Sequence, residues 1–179
     1  MNSFKQTLTE IKGDLLGKNK GIKNFVFSYF YSPRFRVLLN YRLGKYFVKN
    51  KNLFIRQLGR YYNARLVSKR SCDISYKSII GKNFQMPHPI GIVIGDRVVI
   101  KDNVKIFQQV TLGSHGKKGK GFKYPVIENG VKIFAGAKII GGVTIGENAI
   151  IGANALVNID VPANATAVGI PCKIITSNR

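Results

Sequence analysis

Tryptophan is absent, and histidine and cysteine occur only twice each. Two cysteines, Cys72 and Cys172, are too few for a disulfide scaffold, and the sequence reads both as reduced thiols of a cytoplasmic protein. Two histidines, His88 and His115, fall short of the three that a His-ligated catalytic zinc takes. A zinc hydratase or lyase is therefore disfavoured, and no metal is expected. Acidic residues are scarce as well: 8 Asp+Glu stand against 29 Lys+Arg, for a formal net charge of +21 over 179 residues. No apolar run reaches the roughly 18 residues that would span a bilayer. The first 14 residues lack the apolar core of a secretory signal.

What is present is a count in sixes. Aliphatic residues fall at Ile94, Ile100, Ile106 and Leu112, then again at Ile127, Ile133, Ile139, Ile145, Ile151 and Val157. Four places after each but Leu112 comes a second small or branched apolar residue: Val98, Val104 and Val110, then Val131, Ala137, Val143, Ala149, Ala155 and Val161. A period of six fits neither a helix nor a lone strand. It fits a coil of three short flat strands, about 18 residues per turn, with the aliphatic side chains stacked inside. An ordinary β-sandwich would not hold so many anchors on one register. Gly95, Asn103, Gly141, Asn148 and Asn154 stand near the expected corners, where positive φ is needed.

Several stretches carry a family likeness: His88-Pro89-Ile90-Gly91-Ile92-Val93-Ile94-Gly95, Gln109-Val110-Thr111-Leu112-Gly113, Phe134-Ala135-Gly136-Ala137-Lys138-Ile139-Ile140-Gly141 and Val168-Gly169-Ile170-Pro171. The pattern resembles the hexapeptide-repeat acyltransferases, and within them the serine acetyltransferase-like branch. The resemblance implies a left-handed parallel β-helix over residues 73–179, a homotrimer with active sites between subunits, and acetyl-CoA as co-substrate. Residues 1–72 then form a separate helical region.

The register fails in two places. Residues 113–125 form a glycine- and lysine-rich insertion, the kind of loop that lines a binding face. The other irregularity is Met86-Pro87-His88-Pro89-Ile90-Gly91, in which two prolines hold a histidine. Sequence alone leaves His88 open between a structural and a catalytic role, and Asp73 open between a turn residue and a carboxylate partner. The resemblance implies that His88 is the general base for a hydroxyl nucleophile and that Asp73 orients it. It also implies an acetyl-CoA groove. Ala135, Gly136, Gly152 and Ala153 would line it, Lys138 and Lys173 would meet phosphates, and the Gly113-Ser114 turn would offer N–H groups to the oxyanion. His115, Lys123 and Tyr124 are candidate acceptor contacts.

Residues 1–72 hold 16 Lys+Arg and only 2 Asp+Glu, and 12 of the 19 aromatics lie between Phe25 and Tyr62. Residues 22–70 read as helices, with Ser32-Pro33 and Asn52 as N-terminal caps. Three roles fit this composition: packing against the coil or a neighbouring subunit, contact with the inner face of a membrane, or nucleic-acid binding. The last lacks any recognised reader motif, and no nucleic acid is expected.

Three positions depart from the serine acetyltransferase pattern. Pro87 stands where an aspartate precedes the base, and Lys123 and Tyr124 stand where arginine and histidine end the loop. With the short basic N-terminal region, these departures resemble the capsule and exopolysaccharide O-acetyltransferases. The resulting expectation is acetyl transfer to a sugar hydroxyl of a surface polysaccharide or its lipid-linked precursor. The alternatives are a serine O-acetyltransferase of cysteine biosynthesis and a non-catalytic scaffold that kept the fold.

Overall fold

Six residues carry the chain along one short strand and around one corner, so three such units bring it back to the side it left. The computed structural model describes residues 4–15, 21–116 and 123–175. The chain divides into two units, Met1–Cys72 and Asp73–Arg179.

The second unit is built from short strands: β1 (Cys72–Ile74), β2 (Ile79–Ile80), β3 (Ile92–Ile94), β4 (Val99–Ile100), β5 (Lys105–Ile106), β6 (Thr111–Gly113), β7 (Val126–Ile127), β8 (Lys132–Ile133), β9 (Lys138–Ile140), β10 (Thr144–Ile145), β11 (Ile150–Ile151), β12 (Leu156–Val157), β13 (Thr166–Val168) and β14 (Lys173–Ile175). They stack into three sheets, ordered β1-β3-β6-β9-β12, β2-β4-β7-β10 and β5-β8-β11-β13-β14. The pairs are parallel except β13–β14, which is antiparallel. Ile94 pairs with Leu112 and Leu112 with Ile139. One circuit therefore takes 18 residues and the next 27, the excess being the inserted loop.

All ten aliphatic anchors are buried to 1% exposure or less, and the small residues four places on are buried too. The count begins earlier than the sequence reading placed it. Ile74, Ile80 and Met86 are also buried on the six-residue register. The step from Met86 to Ile94 is eight residues, so this corner carries two more than the others.

Left-handed backbone marks the corners. Asn83, Asn103, Gly130, Asn148 and Asn164 turn the chain from the second sheet to the third. Gly91, Gln109, Gly136 and Asn154 turn it from the third to the first. Asn103, Gly141, Asn148 and Asn154 have the expected positive φ; Gly95 does not, and Arg97 (φ 58°) takes the turn instead. Gly95 is small for another reason: a Cβ there would lie 3.2 Å from both the Leu112 carbonyl and the Tyr124 ring.

Among the described residues the first unit holds four helices: α1 (Phe4–Asp14), α2 (Ile22–Tyr31), α3 (Pro33–Val48) and α4 (Leu53–Arg70). The Ser32 hydroxyl accepts from the Phe35 N–H at 3.1 Å, and the Asn52 side chain accepts from Phe54 at 2.9 Å. Both capping expectations hold. The sequence reading gave a helical region over 1–72 but placed individual helices only over 22–70; α1 lies ahead of them, where Phe4, Leu8, Ile11 and Leu15 recur at helical spacing. Ile11 and Leu15 pack with Phe35. Arg42 of α3, itself buried, reaches back to Asp14 at 3.2 Å and Glu10 at 3.3 Å, tying α1 to α3. Among the described residues no helix is long and apolar enough to cross a membrane.

Candidate active site

The first sheet positions the site. The Ser75 N–H bonds to the Ile94 carbonyl at 2.9 Å, with the same offset by which Gly95 meets Leu112. Asp73 therefore lies beside Val93, heading a row that runs Val93, Thr111, Lys138, Leu156. Side chains alternate across a strand, so this row points out while Ile74, Ile94, Leu112, Ile139 and Val157 point in. Asp73 is exposed at the head of the outer face.

His88 stands at the corner that leads into this sheet, on the two surplus residues. Pro87 and His88 are exposed, whereas Met86 and Pro89 are buried on either side. The His88 carbonyl accepts the Ile90 N–H at 2.8 Å. The backbone around the imidazole is thus held by proline rings, a buried anchor and a local hydrogen bond, and the ring faces outward. Among the described residues neither the His88 imidazole nor the Asp73 carboxylate makes a hydrogen bond or ion pair, so the chain brings the two to one sheet without joining them.

Below His88 the same corner is built from small residues. The Gln109 N–H bonds Ile90, Gly136 bonds Gln108 and Asn154 bonds Ala135, each at 2.9 Å. Ala135, Gly136, Gly152 and Ala153 therefore lie along the same edge of the coil as His88. Gly136 is required: its φ is +73°, and a Cβ there would run into the Asn154 side chain. The Lys138 ammonium donates to the carbonyls of Gly136 (2.7 Å) and Gln109 (2.9 Å). It braces this corner. Lys173 lies on β14, exposed.

The opposite edge of the sheet carries the other predicted residues. Gly113 ends β6, and its carbonyl accepts the Gly141 N–H at 2.8 Å. Ser114 and His115 follow, and Lys123 and Tyr124 lead back; residues 117–122 of the predicted loop lie outside the described residues. Both legs rest on a glycine pair. The His115 imidazole covers Gly141 and the Lys123 side chain covers Gly142, each in the space a Cβ would take. Tyr124 packs on Gly95, with the Arg97 guanidinium 5.4 Å from its ring centre. These seats were not anticipated, yet the Gly141-Gly142 doublet is visible in the sequence. Nearby, Asp96 receives hydrogen bonds from the Lys77 ammonium (2.8 Å) and the Ser75 hydroxyl. Those two bonds hold its carboxyl below the usual carboxylate range. Among the described residues no three His, Cys, Asp or Glu side chains gather to hold a metal.

Thus His88 and the small residues Ala135, Gly136, Gly152 and Ala153 share one edge, the loop legs share the other, and Asp73 stands on the face between. The model for the bacterial transferase hexapeptide (six repeats) family matches residues 124–158. The chain is 36% identical over 162 residues to a serine acetyltransferase of Buchnera aphidicola subsp. Acyrthosiphon pisum, covering 90% of this chain and 58% of that protein. It is 42% identical over 123 residues to a serine acetyltransferase of Bacillus subtilis, covering 66% and 56%. In solved structures it superposes on soybean serine acetyltransferase complexed with serine with a TM-score of 0.77, at 31% identity, over 94% of this chain and 68% of that one. The chain belongs to the serine acetyltransferase family. It spans somewhat over half the length of each of these two curated relatives.

Family membership corrects the expectation of a polysaccharide-modifying enzyme. The relatives that match most of the chain are named serine acetyltransferase, and one solved relative carries serine itself. Coverage of 94% also requires that much of the helical unit be matched. The basic N-terminal region is therefore no sign of a different branch. Pro87, Lys123 and Tyr124 are three local changes on a shared scaffold and do not set the chain apart from these relatives. A further family structure, a serine acetyltransferase in complex with CoA, matches with a TM-score of 0.79 at 30% identity, over 96% of this chain and 71% of that one.

Proposed function

We propose that this protein is a serine O-acetyltransferase, moving the acetyl group of acetyl-CoA to the hydroxyl of L-serine. The observation that carries this reading is the match of nearly the whole chain to a family structure complexed with serine. The exposed, proline-held imidazole of His88 supports it from within the chain. A serine hydroxyl is a poor nucleophile while protonated, and imidazole titrates near neutral pH, so it can accept that proton as the new ester bond forms. The same imidazole can then return the proton to the departing sulfur. Asp73, on the adjoining strand, is the carboxylate available to steady the charged ring once substrate closes the site.

Acetyl-CoA, when bound, supplies the activated acyl group and a thiol leaving group. The chain's residues fit it. The edge formed by Ala135, Gly136, Gly152 and Ala153 has no side chain long enough to block an extended pantetheine arm. The exposed Lys173 could meet a phosphate. The family resemblance supports left-handed winding and assembly as a trimer. Trimer formation would bring the His88 edge of one subunit to the loop-bearing edge of another.

The test is release of CoA thiol from acetyl-CoA in the presence of L-serine, with O-acetylserine identified by mass. Serine-dependent release is expected. Turnover with other hydroxyl acceptors but none with serine would overturn the reading.

A further inference from the structure

The aromatic helix of the first unit is poorly covered. In α2 only Ser28 is buried, while Phe27 (53%), Phe30 (67%) and Tyr31 (72%) stand well exposed. Ten residues make a helix only about 15 Å long, so these rings form one contiguous patch. Beside its C-terminal end lies an arginine group. Arg36 donates from one Nη1 to the carbonyls of Tyr29 (2.9 Å) and Phe30 (2.8 Å). The Nε atoms of Arg36 and Arg70 are buried with no hydrogen-bond partner among the described residues. Burial lowers the pKa of Arg70, and Arg36 and then Arg65 lower it further, against an opposing effect of Tyr29. Arg70 is therefore within electrostatic reach of both Arg36 and Arg65. The unit's two acidic residues, Glu10 and Asp14, both bond Arg42. This unit supplies no carboxylate to the arginine group.

Unpaired buried donors and clustered positive charge call for an oxyanion, and an adjoining apolar patch calls for something apolar. We propose that α2 and the arginines at its end form a docking surface for an anionic phospholipid membrane. The aromatic rings enter the interface, and Arg36, Arg65 and Arg70 take headgroup phosphates. The helix lies on the surface, since it is too short to span it. A two-fold contact between copies is a poor occupant, because it would set these arginines against their own copies; contact within the proposed trimer is read by the mass of the phenylalanine variant below. Nucleic acid is disfavoured by the aliphatic Ile22 and Val26, exposed to 81% and 50% among the rings, since neither offers a face for base stacking.

The experiment is co-sedimentation of the full chain with vesicles of phosphatidylcholine alone and with added phosphatidylglycerol. Binding is expected only to the anionic vesicles and should weaken as salt rises. A Phe27→Ser, Phe30→Ser double variant should lose it. Arg65→Gln and Arg70→Gln should each weaken it about fivefold, with Arg65→Lys largely restoring the charge-driven part. Circular dichroism and acetyl transfer should be unchanged in all four. The proposal is overturned by absence of binding to anionic vesicles, by full binding of the double phenylalanine variant, or by that variant falling from the mass of the parent assembly to that of a single chain in solution. Capture by a nucleic acid at the same salt without vesicle binding would also overturn it.

Discussion

The chemistry assigned to His88 depends on where one imidazole points. Its ring is exposed at a corner stiffened by Pro87 and Pro89, so removing it should not disturb the fold. His88→Ala is expected to lower kcat/KM for serine roughly a hundred- to ten-thousandfold, the range of general base catalysis, with an unchanged thermal midpoint. Activity close to the parent would remove His88 from the mechanism. Asp96 shows a different single-residue effect. Its folded-state pKa lies below the ordinary 3.8 because Lys77 and Ser75 bond the charged form. It therefore contributes stability in full above the unfolded value, and that contribution is lost as pH falls through the folded one. Asp96→Asn should leave stability less steep in the acid range in urea titrations, by under about 1 kcal/mol because the pair is largely solvated. An equal acid slope in both proteins would count against the bonds.

At the scale of elements, the inserted loop is anchored by its legs on Gly141 and Gly142. Gly141→Val would add a strained left-handed valine (φ +102°) where the His115 ring lies. It should cost about 1–3 kcal/mol and speed proteolysis of the loop; an unchanged midpoint and cleavage rate would mean the seat is unimportant. In the helical unit, Arg42→Ala would remove the cation bonded to the buried Asp14 carboxylate and should cost about 3–5 kcal/mol, read as earlier loss of helical circular dichroism. Much of this architecture was legible. Every aliphatic on the six-residue count is buried because a stacked coil has one inward position per strand. The earlier start at Ile74 was missed because the eight-residue step at His88 breaks the count. α1 was not placed individually because its apolar positions are thinly spread among polar ones. Gly95 was read as a turn residue when it answers a close approach, a distinction that needs the partner strand.

For the whole molecule, the proposed trimer predicts a mass of three chains in sedimentation equilibrium, and a stable monomer with full activity would refute sites shared between subunits. The acceptor was the part least visible in the sequence. Three positions, Pro87, Lys123 and Tyr124, pointed away from serine, while the similarity that decides the family is spread over most of the chain. Tyr124 illustrates the difficulty. Its ring is occupied in packing on Gly95 and Arg97, so its identity records how the loop is seated as well as what the loop touches. The reversal at β14 has a consequence for assembly. A coil of parallel strands offers an unfinished rung at its lower end, onto which another molecule could add indefinitely. By lying against β13 in the opposite sense, Lys173–Ile175 covers that rung on one side with a mismatched hydrogen-bond pattern, so in that sheet the parallel ladder cannot be continued directly from β13 by a neighbouring molecule.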